Sequence, residues 1–349
     1  MMTQPQGAHL VGSVNDNDAE STMRRAASIL GSHLTRIPDG EPGRRFHWIM
    51  FQADVLGQTA GIERVGEEPV WLRDLDIRPL RIAAGVDAST LQLPPLGYAD
   101  AARDSYAVFT RLRDEGLIAE RTRFQVALPT PTAVVGSFFA GADQALIEPL
   151  YRDAIYRELD GILRDIPHDD LAIQFDCAVE FLVLETHDAE GGRVPWFAGD
   201  VLDGLVQRAA EALSRVPSDV EAGVHLCYGD VAEKHFVEPE STRTLVRFGN
   251  ALTAAMRRPL TWLHLPVPIE RDDDDYFADL QNLALAPETE LYLGLVHRED
   301  GVEGAERRIA TAQRHVERFG VSTECGIGRA PEGTTDGIFR THAAVASAW

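Results

Sequence analysis

The stretch EAGVHLCYGD, residues 221–230, sets His225 and Cys227 two residues apart on an apolar, strand-like run. Side chains two apart on a strand share a face, so this imidazole and this thiol can reach one point. Cys325 closes another such run, in TECGIG. One imidazole and two thiols converging in space suit a borderline-soft divalent cation, for which zinc is the usual choice. The HxC spacing alone also fits a core cysteine beside a hydrogen-bonded histidine, since a free cysteine packs as a small hydrophobe. The second cysteine at another strand end is what favours the metal.

These residues need elements to position them. Short apolar runs recur along the chain: HLVGSV (9–14), TRIPDGE (35–41), FQVALPT (124–130), LAIQFDC (171–177), AGVHLC (222–227), LTWLHLPV (260–267), ELYLGLVH (290–297) and VSTECG (321–326). Helical periodicity separates them, as in 18–34, 201–216 and 304–320, the last ending at glycine. Asp18 and Ser241 are placed to cap the helices that follow them. Eight strands alternating with helices predict a parallel sheet, and at this length a closed (β/α)8 barrel of the TIM type in a single domain. A doubly wound open sheet is the alternative, but no GxGxxG follows the first strand. Residues 59–98 carry prolines and few periodic signals, and are expected to form an excursion or lid after the second strand. In such a barrel the strand C-termini carry the chemistry, and His225, Cys227 and Cys325 lie at such ends.

Composition narrows the function. The chain has 349 residues and a formal net charge of −22, which disfavours nucleic acid and anionic membrane as partners. Three cysteines do not make a disulfide framework. Residues 1–9 lack a basic start followed by an apolar run, so no signal peptide is expected. No apolar stretch approaches the ~20 residues of a membrane span. The expectation is a cytoplasmic protein with reduced thiols.

Several segments together resemble the catalytic barrel of cobalamin-independent methionine synthases. HLCYGD resembles that family's HxCYS, and TECGIGR its xxDCGxxxR. LVGSV resembles xIGSF, PDGEPGRRFHWIMFQ resembles HGExxRxDMVxYF, and PTPTAVVGSF resembles GPVTxxxWSF. QFDCAV is similar to QIDEPA, and YLGLVH to the strand ending in IHSP. The order is the same, and the matches span nearly the whole chain. The resemblance implies a Zn2+ site with His225, Cys227 and Cys325 as ligands, holding a substrate thiol as thiolate. It implies that Ser13, Glu41 and Asp176 hold the amino-acid part of the acceptor, and that His297 supplies a proton. Each also has a plainer reading: Asp176 as a buried acid satisfied by backbone N–H groups, Glu41 as a helix start, His297 as a satisfied strand-end residue.

The departures are informative. The family's fourth ligand is a glutamate at the end of the strand after HxC. Here Glu270 is the nearest carboxylate and His264 occupies the strand, so Glu270, His264 or neither completes the site. The run 272–275 reads as a solvated helix start. The folate-stacking tryptophan is replaced around Gly136, and Cys177 stands where the family has Glu. His235 reads as an exposed loop residue. Folate is therefore disfavoured as donor; a corrinoid protein or a small methylated molecule is the expected partner of the thiol. The resulting expectation is zinc-dependent transfer of a methyl or other alkyl group to a thiol. The alternatives are thiol addition to an epoxide, as in coenzyme M transferases, and a metal-free lyase or decarboxylase of the uroporphyrinogen decarboxylase type, for which only Arg44 and Arg45 could grip propionates. A barrel that binds a thiol compound or metal without turnover is the non-enzymatic reading.

Overall fold

The computed structural model describes residues 4–229 and 234–349. Asp230 and the first three residues of the 1–9 segment lie outside them. Eight strands make one parallel sheet: β1 (Ala8–His9), β2 (Arg36–Pro38), β3 (Arg123–Pro129), β4 (Leu171–Cys177), β5 (Glu221–Leu226), β6 (Trp262–Pro266), β7 (Glu290–Val296) and β8 (Gly320–Thr323). The order is β1-β8-β7-β6-β5-β4-β3-β2. The remaining seam is bridged beyond the strands, where the Val14 N–H donates to the Gly40 carbonyl at 2.9 Å. The architecture is a (β/α)8 barrel; each of the eight expected strands overlaps an observed one, although β1 shares only His9 with the expected 9–14 run and β8 ends at Thr323, short of Cys325.

Strand parity sorts the side chains. On β4, Leu171, Ile173, Phe175 and Cys177 belong to the large core between sheet and helices, whereas Ala172 belongs to a separate cluster with Trp262 and Tyr292 inside the barrel. Gln174 and Asp176 share the parity of Ala172 and also face inward. Cys177 thus points away from the barrel interior, and its neighbour Asp176 points into it.

The interior is layered. At the floor, Arg36 pairs with Glu221 at 2.5 Å and Glu290 at 2.8 Å, with its guanidinium over the Trp262 ring. Above, the Trp262 indole N–H donates to Gln174 Oε1 at 3.2 Å, and His9 Nε2 bonds the same oxygen at 2.9 Å. The Gln174 amide then donates to Asp176 Oδ1 at 2.9 Å. This column leads from a structural ion cluster to the mouth.

The helices hold two surprises. The helix expected over 304–320 is Gly301–Ala312, and Gly320 opens β8 instead of ending it. A Cβ at Gly320 would lie 2.5 Å from the Tyr292 ring, so close packing at the barrel floor explains this glycine. The helix expected after Ser241 begins at Arg243, with Thr242 at the cap position, although Ser241 Oγ still accepts from the Arg243 N–H. Asp18 caps Ala19–Leu30 as expected, accepting from the Ser21 N–H. The acidic run 272–275 does start a short helix, Asp274–Phe277, capped by Asp273.

Between β2 and β3 the chain makes a long connection. It contains two nested antiparallel ribbons, Ile62–Arg64 with Leu80–Ile82 and Trp71–Leu72 with Leu75–Asp76. No helix among the described residues is long and apolar enough to cross a membrane.

Gly223 sits opposite Trp262, and a Cβ there would fall 2.0 Å from the indole. Gly223→Ala must push the tryptophan off Gln174. The expected loss is about 2 kcal/mol in urea unfolding, the cost of overpacking a filled core; an unchanged midpoint would contradict the layering.

Candidate metal centre and adjoining cavity

β5 and β8 carry the convergent group. His225 lies within β5, Cys227 follows its last residue, and Cys325 lies two residues past β8. Among the described residues, His225, Cys227 and Cys325 are the group of histidine, cysteine and acidic side chains close enough to hold an ion, with ligand atoms within 4.8 Å of one another. The two sulfurs are 3.7 Å apart. Two thiolates at ~2.3 Å from one tetrahedral zinc would stand roughly 3.8 Å apart, so the spacing fits. His225 Nε2 is buried and has no hydrogen-bond partner, a state that a metal bond would relieve. The donor set, one imidazole and two thiols, is of a kind that suits zinc.

The neighbours hold this group in shape. The Gly229 N–H donates to Cys227 Sγ at 3.2 Å. His225 Nδ1 lies 2.6 Å from His264 Nδ1, and His264 Nε2 lies 3.1 Å from the Thr323 carbonyl. Burial, with smaller contributions from neighbouring His264 and His9, depresses the basicity of His225, and burial holds His264 down to about 3. Burial therefore disfavours charge on either ring. Arg329 Nη2 donates to the Gly326 carbonyl at 3.2 Å and stands 3.7 Å from Cys325 Sγ. Gly326 is dictated by space: a Cβ there would lie 2.3 Å from Ser13 Oγ.

Neither expected fourth ligand joins the group. His264 has both ring nitrogens engaged. Glu270 is exposed on a groove that Cys325 also lines.

A cavity opens on one side of the sulfurs. Ser13, Glu41, Asp176, Trp48 and Phe236 line it together with His225, Cys227, Cys325 and Arg329. Glu41 is buried, and its backbone is left-handed at φ +53°, a conformation that costs a non-glycine residue about 1 kcal/mol. It does not start a helix; its N–H donates to Asp39 Oδ1, and Asp39 pairs with Arg45. Burial raises the Glu41 carboxyl to about 7, with Asp39 adding to the rise and Arg45 opposing it. Asp176 is also pushed well up, by burial first and then by Glu41. It accepts from the Gln174 amide, a side-chain partner in place of the backbone N–H groups of the plainer reading. Two buried carboxyls thus stand beside one cavity, with Arg329 also on its wall.

The groove on the other side holds His297, His235, Glu324 and Arg298. His297 Nε2 donates to the Val267 carbonyl at 2.9 Å, and burial lowers its basicity. His235 departs from expectation. Far from being an exposed loop residue, it is held between Glu324 at 2.9 Å and Glu238 at 2.8 Å. Burial works against its charge, but the two carboxylates outweigh it and lift it to about 9. Gln174 and Arg329 were not singled out from sequence. Gln174 had a signal, since it lies two residues from Asp176 and so on the same face.

The acidic pair makes stability depend on pH. The folded protein keeps a proton on Glu41 that the unfolded chain releases above about pH 4.5, so stability falls as pH rises from about 4.5 to 7. Glu41→Gln should therefore match the parent near pH 4.5 and exceed it by on the order of 2–3 kcal/mol at pH 8 in urea unfolding. A gap independent of pH would contradict the buried, protonated carboxyl.

No family model matches the chain, and no curated protein sequence matches it either. Solved structures do match in fold. A Listeria monocytogenes protein, provisionally described as a vitamin-B12-independent methionine synthase, superposes with a TM-score of 0.58 at 14% identity, covering 99% of this chain and 98% of its own. A B12-independent methionine synthase from Shewanella sp. W3-18-1, solved with selenomethionine, gives a TM-score of 0.57 at 12% identity over 98% and 95%. A methyltransferase from Methanosarcina mazei gives 0.53 at 10% over 99% and 94%. At these identities the likeness is one of fold, running the full length of the barrel.

Proposed function

We propose that this chain is a zinc-dependent transferase that moves a methyl or other alkyl group onto the sulfur of a small thiol. The observation that carries this reading is the meeting of His225, Cys227 and Cys325 at the barrel mouth, beside a cavity that ends in two buried carboxyls. Names of the structural neighbours, B12-independent methionine synthases and a methyltransferase, point the same way.

Zinc held by those three residues would supply Lewis acidity, lowering the pKa of a nearby thiol so that its sulfur is a nucleophile at neutral pH. The chain's own residues do the rest. Glu41 and Asp176 would take the acceptor's ammonium group, and its positive charge would draw both carboxyls into their ionised form. Ser13 lies in the same cavity to orient the acceptor. That fixes the sulfur toward Cys227 and Cys325. The groove beyond Cys325 is the remaining approach for the alkyl donor. Sulfur attacks the donor carbon, an S–C bond forms, and the bond from carbon to its leaving group breaks with its electron pair. His297 lines that groove, and its Nε2 hydrogen would have to leave the Val267 carbonyl before it could pass to the leaving group.

The decarboxylase reading loses ground. It needs arginines free to grip propionates, and Arg44 and Arg45 are already paired with Asp54 and Asp39.

Two results test the proposal. Desalted protein should carry close to one zinc per chain, and Cys227→Ser should carry none and release no proton on mixing with a thiol. Retention of both metal and thiol chemistry by Cys227→Ser would refute the reading. In addition, Glu41→Gln should weaken an amino-acid thiol by roughly 10- to 100-fold, the worth of a charged hydrogen bond, while leaving 2-mercaptoethanesulfonate unaffected. Equal effects on both thiols would remove the ammonium clamp.

A further inference from the structure

We infer that His264 is a positioning residue: it fixes which ring nitrogen His225 turns toward the sulfurs, and the protein supplies three ligands, not four. The inference rests on the reading that His225, Cys227 and Cys325 hold a metal.

The Thr323 carbonyl can only accept, so the His264 Nε2 facing it at 3.1 Å must carry hydrogen. In a neutral imidazole the other nitrogen is then a bare lone pair. His264 Nδ1 therefore accepts, and the nitrogen 2.6 Å away, His225 Nδ1, must donate to it. That leaves His225 Nε2 as the lone pair. It is the same buried atom that lacks a protein partner, and its residue lines the cavity with both cysteines. One carbonyl at the end of β8 thus sets the tautomer of a histidine on β5, by way of a histidine on β6.

The relay also ties the ligands to one another. Thr323 is two residues before Cys325, and its hydroxyl donates to the Cys325 carbonyl at 2.7 Å. The backbone that orients His225 is the backbone that places the second sulfur. A carboxylate in the place of His264 would reach for the ion itself; a histidine with both nitrogens engaged cannot. With Glu270 exposed, no other described acid, histidine or cysteine enters the group. The remaining coordination place is left for a substrate sulfur.

The first measurement needs no metal. Long-range proton–nitrogen correlation spectra of metal-free protein labelled with 15N-histidine report each ring's tautomer, with His225→Gln and His264→Asn used only to assign the signals. The expected pattern is hydrogen on Nδ1 of His225 and on Nε2 of His264. Hydrogen on Nε2 of His225 would overturn the inference, whether or not any variant folds well. The second measurement is zinc affinity by competition with a chromogenic chelator. His264→Asn keeps an acceptor near the Nδ1 position and should stay within a few-fold of the parent, whereas His264→Leu should bind about 10- to 100-fold more weakly, as expected for loss of an orienting partner. Equal large losses in both variants, with a changed ligand field in the cobalt-substituted protein, would make His264 a ligand and sink the proposal. Failure of the parent to bind zinc would count against the proposed function, while the tautomer pattern would still stand or fall by itself.

Discussion

Everything chemical in this molecule depends on the closeness of two strand ends that are 98 residues apart in sequence. Cys227 and Cys325 bring their sulfurs to 3.7 Å, and that contact exists because a curved sheet returns β8 to the neighbourhood of β5. Two thiols at that distance stand beside a buried imidazole whose Nε2 has no hydrogen-bond partner, a donor set that can hold a borderline-soft cation. The barrel supplies the coincidence; the side chains give it a use.

The interior is arranged to protect that coincidence. A large ion cluster closes the floor, a ring of aromatic and amide groups fills the middle, and hydrogen bonds climb from Trp262 through Gln174 to Asp176. Each step restricts the one above it. Gln174 has little choice of orientation, because the indole N–H demands its oxygen. The carboxyl at the top is thereby held before any ligand arrives. Glu41, buried and in a left-handed backbone, is the strained counterpart across the cavity.

Much of this was legible in the sequence. The eight strands were readable because apolar runs bounded by turn residues are a strong local signal, and HxC declared a shared face through the two-residue period. The same period separates Asp176 from Cys177, placing one inside the barrel and the other against the helices. What escaped was set by distance in space, not along the chain. Nothing near His235 in sequence announces Glu324, so its burial between two carboxylates was invisible. His264 could be placed on its strand, but its role depends on a carbonyl at position 323. Gly320 looked like a helix end because glycine serves both there and under an aromatic ring; only the packing of Tyr292 distinguishes the two.

The central claim is that one zinc ion is gripped by two sulfurs and one imidazole. X-ray absorption at the zinc edge reads that shell directly. The account predicts two sulfur scatterers near ~2.3 Å and an imidazole nitrogen near ~2.0 Å. A shell of oxygen and nitrogen alone, or zinc lost entirely on desalting, would contradict it.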